Sequence, residues 1–173
     1  MQEKVIQIPF NSKFFLESHK AIWDFSNKKH LKLYAFYTIL SLLTLISGWN
    51  FDRRDAFPVG IALGSSLLFY FFVKWVEFFE RRVKYFSKVK TKAVRFAQES
   101  MESTYIFSDN GFECTDKEKS FKLVWSLFKP ITIYKDNILL FLKDGGVIFS
   151  IGRSELGGTE YDELCDILRE KFG

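Results

Sequence analysis

The chain of 173 residues has few of the residues on which small secreted or fibrous proteins depend. Its two cysteines are too few for a disulfide scaffold, and its three prolines and ten glycines exclude a collagen-like or linker-dominated chain. The only histidines are His19 and His30, and there is no HExxH or other histidine–carboxylate spacing typical of a metal site. Because 47% of the residues are hydrophobic and 18% are aromatic, disorder is excluded for most of the length. These limits indicate a small folded protein from a reducing compartment.

Charge is missing from two long blocks, residues 33–51 and 56–73, of 19 and 18 residues. At about 1.5 Å per residue each block spans roughly 27 Å as a helix, close to the thickness of the hydrocarbon core of a bilayer. Neither block has a polar face, and the hydroxyls of Thr38, Ser41 and Thr44 can bond back to their own helix. A buried hairpin in a soluble fold is the alternative, but the remaining chain is short for covering two such helices. The sequence therefore predicts two membrane spans.

The distribution of basic residues predicts the orientation of this hairpin. Residues 1–32 carry six basic and three acidic side chains, the turn at 52–55 carries two of each, and residues 74–95 carry eight and two. By the positive-inside rule both flanks stay in the cytoplasm and only the turn crosses. This predicts a protein of the cell (inner) membrane with both termini cytoplasmic. The first block starts too late and is too long for a cleaved signal peptide.

Small residues recur four positions apart on both predicted spans. They are Ala56, Gly60 and Gly64 on the second span, and Thr44 and Gly48 on the first. Such spacing lets helix backbones approach closely. It predicts packing of the two helices within one hairpin, or a seam between the hairpins of a homodimer. We favour the first, because the motif is frequent in membrane helices generally.

A basic, aromatic stretch at 74–98 follows the second span without a proline or glycine, which predicts that the helix continues out of the bilayer. Its basic side chains are predicted first of all to fix the topology of the hairpin on a solvated helix, and also to contact anionic headgroups beside the membrane. Nucleic-acid binding is the other interpretation, but residues 96–173 carry a net charge of −5 and would repel phosphates, so no nucleic-acid partner is expected. The predicted membrane-surface residues are Lys74, Arg81, Arg82, Lys84 and Lys88.

Beyond Glu99 the pattern changes to short β-branched and aromatic runs separated by turn signals. The first two of six predicted strands flank a turn in which Asn110 and Gly111 are able to take positive φ, the middle two form a pair bent apart at Pro130, and the last two flank Lys-Asp-Gly-Gly. Thr159 is predicted to cap a final helix with one apolar stripe. The strands are 104–107, 112–115, 121–125, 131–134, 138–142 and 147–151, and the stripe is Tyr161, Leu164, Cys165, Leu168 and Phe172.

Residues 5–10 alternate like a strand, and Asn11 or Ser12 is placed to cap a helix that leads to the first span. A lone strand cannot satisfy its own backbone groups. This strand is therefore predicted to pair with an edge of the carboxy-terminal sheet, or with the same strand of a second copy.

Six antiparallel strands followed by one amphipathic helix are the outline of a pleckstrin-homology-like (PH-like) barrel, whose helix plugs one open end. Four further features are notable in this region: the 107–112 turn, the 125–128 step with Tyr134, the 137–142 strand and the 161–172 helix. In these features, and over nearly its full length, the chain resembles the bacterial YcxB-like membrane proteins. The resemblance implies an architecture and carries no catalytic residues, and residues 154–158 depart from it by lacking the expected proline and phenylalanine.

Together these patterns predict an α+β membrane protein: a transmembrane hairpin plus a cytoplasmic antiparallel PH-like β-barrel capped by a carboxy-terminal helix. A cytoplasmic strand and helix are expected at 1–32, the hairpin at 33–73 with spans at 33–51 and 56–73, a basic juxtamembrane helix at 74–98 and the PH-like domain at 99–173.

The sequence contains no constellation that predicts an enzyme, a cofactor site or an ion pathway. Cys114 and Cys165 are expected in the core, the paired glycines match no phosphate-binding motif, and no ionisable residue lies within either predicted span. We therefore predict a non-enzymatic membrane-anchored binding or scaffolding module whose partners are membrane lipids and a protein. The alternatives are a regulatory or assembly subunit that acts through its transmembrane helices, and an anionic-lipid-binding module.

Overall fold

A computed structural model describes residues 3–51 and 59–172. Over these residues the chain forms two long helices, two short ones and two small antiparallel sheets, so the α+β class is confirmed. The chain divides into two compact units, one of Met1–Phe25 with Val89–Gly173 and the other of Ser26–Lys88. The two boundaries between these units fall inside the two long helices, α1 (Ser12–Phe51) and α2 (Val59–Gln98).

Each long helix continues from its predicted span into the neighbouring segment, as predicted. Asn11 caps α1, because its Oδ1 accepts hydrogen bonds from the backbone N–H groups of Lys13 at 3.0 Å and Phe14 at 3.4 Å. Helix α2 runs unbroken through the basic stretch to Gln98. The predicted turn at 52–55, and with it Ala56, lies outside the described residues.

The unit Ser26–Lys88 consists of helix segments that expose their apolar side chains. Both helices are long and apolar enough to cross a membrane. Only 11% of the most apolar 18-residue window of α1 is buried, and 6% of that of α2. The predicted back-bonding of hydroxyls is confirmed, since Thr38, Ser41 and Thr44 donate to carbonyls four residues earlier at 2.7, 2.7 and 3.0 Å. These three hydroxyls thus find acceptors within their own helix.

A four-stranded antiparallel sheet has the order β1-β2-β3-β4 and begins with the amino-terminal strand. Strand β1 pairs with β2 along its whole length, from Lys4 opposite Phe107 to Pro9 opposite Glu102, which confirms the predicted pairing with the carboxy-terminal sheet. The alternation of the sequence explains the register, because it buries Ile6 and Ile8 in the core. The strands are β1 (Lys4–Pro9), β2 (Glu102–Phe107), β3 (Gly111–Thr115) and β4 (Ser120–Val124).

A separate three-stranded antiparallel sheet contains β5 (Thr132–Tyr134), β6 (Asn137–Phe141) and β7 (Val147–Gly152). The predicted pairing of 121–125 with 131–134 is therefore wrong, because β4 pairs with β3 and β5 with β6. The chain leaves β4 through a 3-10 turn at Trp125–Leu127 and then reaches Pro130, which cannot donate to a ladder. The described ladders form two sheets and do not close a barrel.

Positive φ angles occur at different turn residues from those predicted. Neither Asn110 nor Gly111 has one; Gly111 is required instead because a Cβ there would lie 2.2 Å from the carbonyl oxygen of Leu123 on β4. The turn between β5 and β6 has φ of 49° at Lys135 and 56° at Asp136. Two consecutive positive φ angles are the signature of a hairpin turn matched to strand twist.

The carboxy-terminal segment contains a short helix α3 (Arg153–Leu156) before the final helix α4 (Gly158–Phe172). The prediction that Thr159 caps the last helix is wrong, because α4 already begins at Gly158. Gly157, with φ of 84°, makes the sharp turn between the helices, and its carbonyl accepts from the N–H of Tyr161 at 3.1 Å. The apolar stripe of α4 is confirmed: Tyr161, Leu164, Cys165 and Leu168 are buried, and Phe172 packs at their end.

One core joins both sheets and α4. Phe107 and Phe112 of the first sheet, Ile138 and Leu140 of the second and Leu164 of α4 have no exposed surface. Cys114 and Cys165 belong to the same cluster, as predicted.

Candidate functional site

Three glycines of the predicted small-residue set, Gly48, Gly60 and Gly64, lie where the backbones of α1 and α2 are in close contact. A Cβ built on Gly48 would lie 2.6 Å from the carbonyl carbon of Gly60, and one on Gly64 would lie 2.7 Å from the Cα of Leu45. Cβ atoms do not normally come within about 3.0 Å of such neighbours. The contact is within one chain, and Thr44 lies one turn before Gly48 on α1. Glycine is therefore needed here to let the two backbones meet.

Beyond this seam, a polar and aromatic contact joins the same two helices. The indole Nε1–H of Trp75 donates to the Thr38 hydroxyl at 3.1 Å, and the Thr38 hydroxyl in turn donates to the carbonyl of Tyr34. The rings of Tyr37 and Phe71 stack with their centroids 5.3 Å apart. A relayed hydrogen bond of this kind adds to packing between apolar helices.

Two of the five predicted membrane-surface residues are ion-paired within α2. Lys74 lies 2.9 Å from Glu77, and Lys84 lies 3.3 Å from Glu80. Exposed pairs between residues one turn apart contribute only about 0.3–0.5 kcal/mol. Both lysines can therefore exchange these partners for a headgroup at little cost.

The other three residues make no ion pair among the described residues. Arg81 donates its Nε–H to the carbonyl of Glu77 at 3.3 Å, the guanidinium of Arg82 lies 5.9 Å from the ring centroid of Phe86, and Lys88 is exposed. All five residues lie on the stretch of α2 that immediately follows the predicted span.

The unit that holds both sheets contains a cavity of about 370 Å³. The sequence did not predict it, because its walls come from distant parts of the chain: the first turns of α1, the last turns of α2, strands β1 to β3, β7 and α3. Its volume falls within the range of about 300–1,000 Å³ usual for small-molecule sites. The local sequence signal for this cavity consists of two i, i+4 pairs, Phe15 with His19 and Lys92 with Phe96. Each pair places an aromatic and a basic side chain on one helix face.

One side of the cavity is aromatic. The rings of Phe10, Phe15 and Phe96 form a triangle with centroid distances of 5.4, 5.6 and 5.9 Å. Phe149 of β7 lies at another part of the lining, with its centroid 4.9 Å from that of Tyr105 in an edge-to-face arrangement. Helix α1 thus extends the apolar lining beyond the sheet itself.

The other side is polar because the inner face of the first sheet changes composition along its strands. Its deepest cross-strand pair is Phe107 with Phe112, and the next pair is Tyr105 with Cys114. Ser103 follows on the same face of β2, and Asp116 comes directly after the end of β3. Moving along the strands therefore leads from the apolar core into hydroxyl and carboxylate groups.

Burial and neighbouring acidic groups set the electrostatics of this polar side. Burial is the main cause that raises the pKa of Tyr105 to about 12; the side-chain hydrogen bond with Ser103 opposes the rise, and the charges of Cys114, Glu155 and Asp116 add to it. Burial also raises the pKa of Glu155 above its usual value, and Glu155 forms no ion pair with any described residue. Within the described part of the chain, the buried Ser150 hydroxyl has no hydrogen-bond partner. Both Ser150 and Glu155 line the cavity.

The basic side chains that line the cavity are less available for contact with a ligand than their number suggests. Burial and then the nearby Lys92 charge lower the pKa of His19, which therefore stays neutral at pH 7. The Lys119 ammonium lies 3.9 Å from the Asp116 carboxylate and 5.6 Å from the ring centroid of Phe121. Lys92 itself is exposed on α2.

A second, more open groove of about 560 Å³ lies between α1 and the turn after β5. Its polar groups pair with one another: Ser18 donates to Asn137 Oδ1 at 3.3 Å, and Lys135 lies 2.7 Å from Asp24. These mutual contacts leave fewer groups for a ligand than the cavity does, so the cavity is the better candidate site.

No group of three or more histidine, cysteine, aspartate or glutamate side chains that could hold a metal ion occurs among the described residues. Comparison of the chain with protein-family models, with curated proteins and with solved structures gave no match. The candidate site is therefore argued from its geometry alone.

Proposed function

We propose that this chain is a membrane-anchored, non-enzymatic binding or scaffolding module. In this proposal the hairpin within Ser26–Lys88 crosses the bilayer twice, and the two sheets with α4 form a PH-like domain in the cytoplasm. The order of four strands, three strands and a final helix supports the PH-like interpretation. The YcxB-like family resemblance is consistent with it and stays a prediction.

The exposure of the apolar windows carries the proposal. An apolar helix in the core of a soluble protein is mostly buried, whereas these windows are 11% and 6% buried. Exposed apolar patches larger than a few hundred Å² are rare in monomeric soluble proteins. Hydrocarbon is the solvent that best accounts for such helices, and the excess of basic residues on both flanks favours cytoplasmic termini.

The basic part of α2 supports contact with anionic lipid headgroups. A basic side chain close to an anionic surface contributes about 1 kcal/mol, and the attraction decays within a Debye length of about 10 Å. Lys74 to Lys88 therefore act as an auxiliary anchor beside the spans. The acidic charge of the carboxy-terminal region favours a protein ligand over a headgroup for the domain itself.

The outer strands of the sheets are the proposed contact for that protein ligand. Among the described strands, β4 is paired on one side only, by β3. An extended peptide can add to such an edge by main-chain hydrogen bonds. A regulatory subunit acting through the small-residue faces is less favoured, because Gly60 and Gly64 are covered by α1 of the same chain.

The membrane location predicts that arginine within a span has a large effect on extraction. Leu40 and Leu67 are 45% and 41% exposed in the apolar windows, and arginine at the centre of a span costs about 2.5–3.5 kcal/mol. The variant Leu40→Arg with Leu67→Arg should therefore move a large share of the protein from the carbonate-washed membrane pellet to the supernatant. The control Val94→Arg, at an exposed position of α2 beyond the window, should stay in the pellet. Native protein that is monodisperse in the aqueous fraction without detergent would contradict the proposal.

The binding role predicts a position-specific crosslink from the sheet edge. A photoreactive residue at Val124 of β4, which is 51% exposed, should give one product of defined mass in native membranes. The same group at Val94 of α2, which is 58% exposed, should not give that product. A product of twice the chain mass would identify a second copy as the ligand, and equal labelling at both positions would count against an edge contact.

A further inference from the structure

We propose that the cavity lined by Phe15, Phe96, Tyr105, Phe149 and Glu155 binds a small primary organic ammonium ion, with its apolar body against the aromatic rings and its ammonium group at Glu155 and Tyr105. This inference goes beyond the anchoring and edge-binding roles proposed above and does not depend on either. It concerns only the unit that contains the sheets.

The first feature of the cavity that favours a cation is its carboxylate. Glu155 is half-buried, faces the cavity, accepts a backbone hydrogen bond from Gly152 and forms no ion pair with a described residue. Partly buried carboxylates are normally paired, since removing an ionised group from water is unfavourable. A ligand cation supplies the missing partner.

The second feature is the set of oxygen acceptors. A primary ammonium has three N–H donors. Glu155, Tyr105 and Ser150 all line the cavity; the Tyr105 hydroxyl already has a side-chain hydrogen bond with Ser103, whereas the Ser150 hydroxyl is buried and without a hydrogen-bond partner among the described residues. A buried hydroxyl that lacks a partner is unfavourable by about 1–3 kcal/mol, and a bound N–H donor removes that penalty. Quaternary ammonium ions have no such donors and are expected to bind more weakly.

The third feature is the aromatic lining. Phe149, Tyr105 and Glu155 all line the cavity, and the Phe149 and Tyr105 rings pack edge-to-face with their centroids 4.9 Å apart. Cations are attracted to aromatic faces within about 6 Å. The Phe15–Phe96 pair, 5.9 Å apart, offers a second apolar surface for the body of the ligand.

An anionic ligand is the main competitor, because two lysines also line the cavity. Lys119 already lies beside Asp116, and Lys92 is exposed to solvent that screens its charge. His19 is neutral at pH 7 because its pKa is lowered by burial and by Lys92. The unit that contains the cavity, Met1–Phe25 with Val89–Gly173, carries 15 basic and 17 acidic side chains, and this net charge of −2 favours cations over anions only slightly.

The test uses three probes of similar shape with the full-length protein in detergent micelles: phenethylammonium, 2-phenylethanol and 3-phenylpropionate. We expect saturable binding of phenethylammonium by calorimetry at pH 7, and weaker binding of both other probes. Glu155→Gln should weaken phenethylammonium binding about tenfold, as expected for loss of a hydrogen bond to a charged group. Glu160→Gln is the matched control, because it makes the same change at an exposed position of α4 outside the cavity lining.

Two further measurements separate binding from folding and from partitioning into micelles. Glu155→Gln removes a desolvated carboxylate, so its thermal midpoint should be no lower than that of the native protein. Ser103→Phe fills the cavity and should abolish saturable binding while leaving the micelle background unchanged. Absence of saturable phenethylammonium binding, equal or tighter binding of 3-phenylpropionate, or full affinity in Glu155→Gln would each overturn the proposal.

Discussion

Replacing Ile6 by aspartate is expected to unfold the unit that contains both sheets, whereas the same substitution at Val5 is not. The two residues are neighbours on β1, but Ile6 is 5% exposed and Val5 is 52% exposed. Loss of a buried isoleucine side chain destabilises by about 2–5 kcal/mol, and a buried carboxylate without a cation adds to that loss. Since a domain of this size is stable by only about 5–15 kcal/mol, most of its stability would be lost.

Hydrogen exchange of the full-length protein in detergent measures this effect. In Ile6→Asp, the amides of β2 should exchange rapidly, because β2 pairs with β1 residue by residue from Phe107 to Glu102. In Val5→Asp they should exchange as in the native protein, since an exposed substitution changes stability by about 0.5 kcal/mol or less. Native exchange of β2 in Ile6→Asp would show that β1 is not part of this sheet. Exchange that depended on protein concentration would point instead to pairing with a second copy.

The elements that sequence predicts well here are those defined by local periodicity. The uncharged blocks predict the carboxy-terminal half of α1 and the amino-terminal part of α2, and the alternation of β1 predicts a strand that requires a partner. Its register then follows from burial, because a shift by one residue would expose Ile6 and bury Val5. The local sequence pattern does not predict that β4 and β5 belong to different sheets. That separation depends on the 3-10 turn and Pro130, which set the direction of the chain between the two strands.

The turn between β5 and β6 shows a second limit of local reasoning. Its two central residues, Lys135 and Asp136, adopt positive φ without a glycine, and the side chain of lysine gives no local reason for that conformation. Tertiary contacts hold it instead: Lys135 pairs with Asp24 of α1 at 2.7 Å, and the N–H of Arg153 donates to the carbonyl of Asp136 at 2.9 Å. These partners are far away in the sequence, so the turn is specified by the fold.

The cavity is the clearest case of a site that forms only on folding. Phe15 and Phe96 are distant in sequence, and they meet only because the first turns of α1 and the last turns of α2 both cover the first sheet. Glu155 lies on α3, a helix that the sequence did not predict, because only four residues form it between Gly152 and Gly157. A site search based on spacing finds none of these relations.

Replacing Gly60 by a larger residue is expected to separate the two helices of the hairpin. This substitution distinguishes the two predicted roles of the small residues, which are packing within one hairpin and a seam between the hairpins of a homodimer. The Cβ of any other residue at this position would lie 2.7 Å from the Cα of Gly48, which is backbone and cannot rotate away. Even Gly60→Ala should therefore destabilise the hairpin, although alanine favours a helix over glycine by about 1 kcal/mol. Gly60→Leu should have the larger effect, and Ala62→Leu, at an exposed position of the same helix, should have little.

Spin labels at Leu43 and Leu63, which are 55% and 56% exposed, report the separation of α1 and α2 in the full-length protein. In Gly60→Leu we expect the distance between the labels to increase by about 2–3 Å and its distribution to broaden, because ordinary helix pairs lie about 8–10 Å apart and glycine contacts are closer. In Ala62→Leu the distance should be unchanged. An unchanged distance in Gly60→Leu together with loss of a dimer would assign the seam to contacts between copies. Because Gly48 and Gly60 each exclude a Cβ on the other, Gly48→Leu should reproduce the Gly60→Leu result, and a wide difference between the two variants would contradict a shared contact.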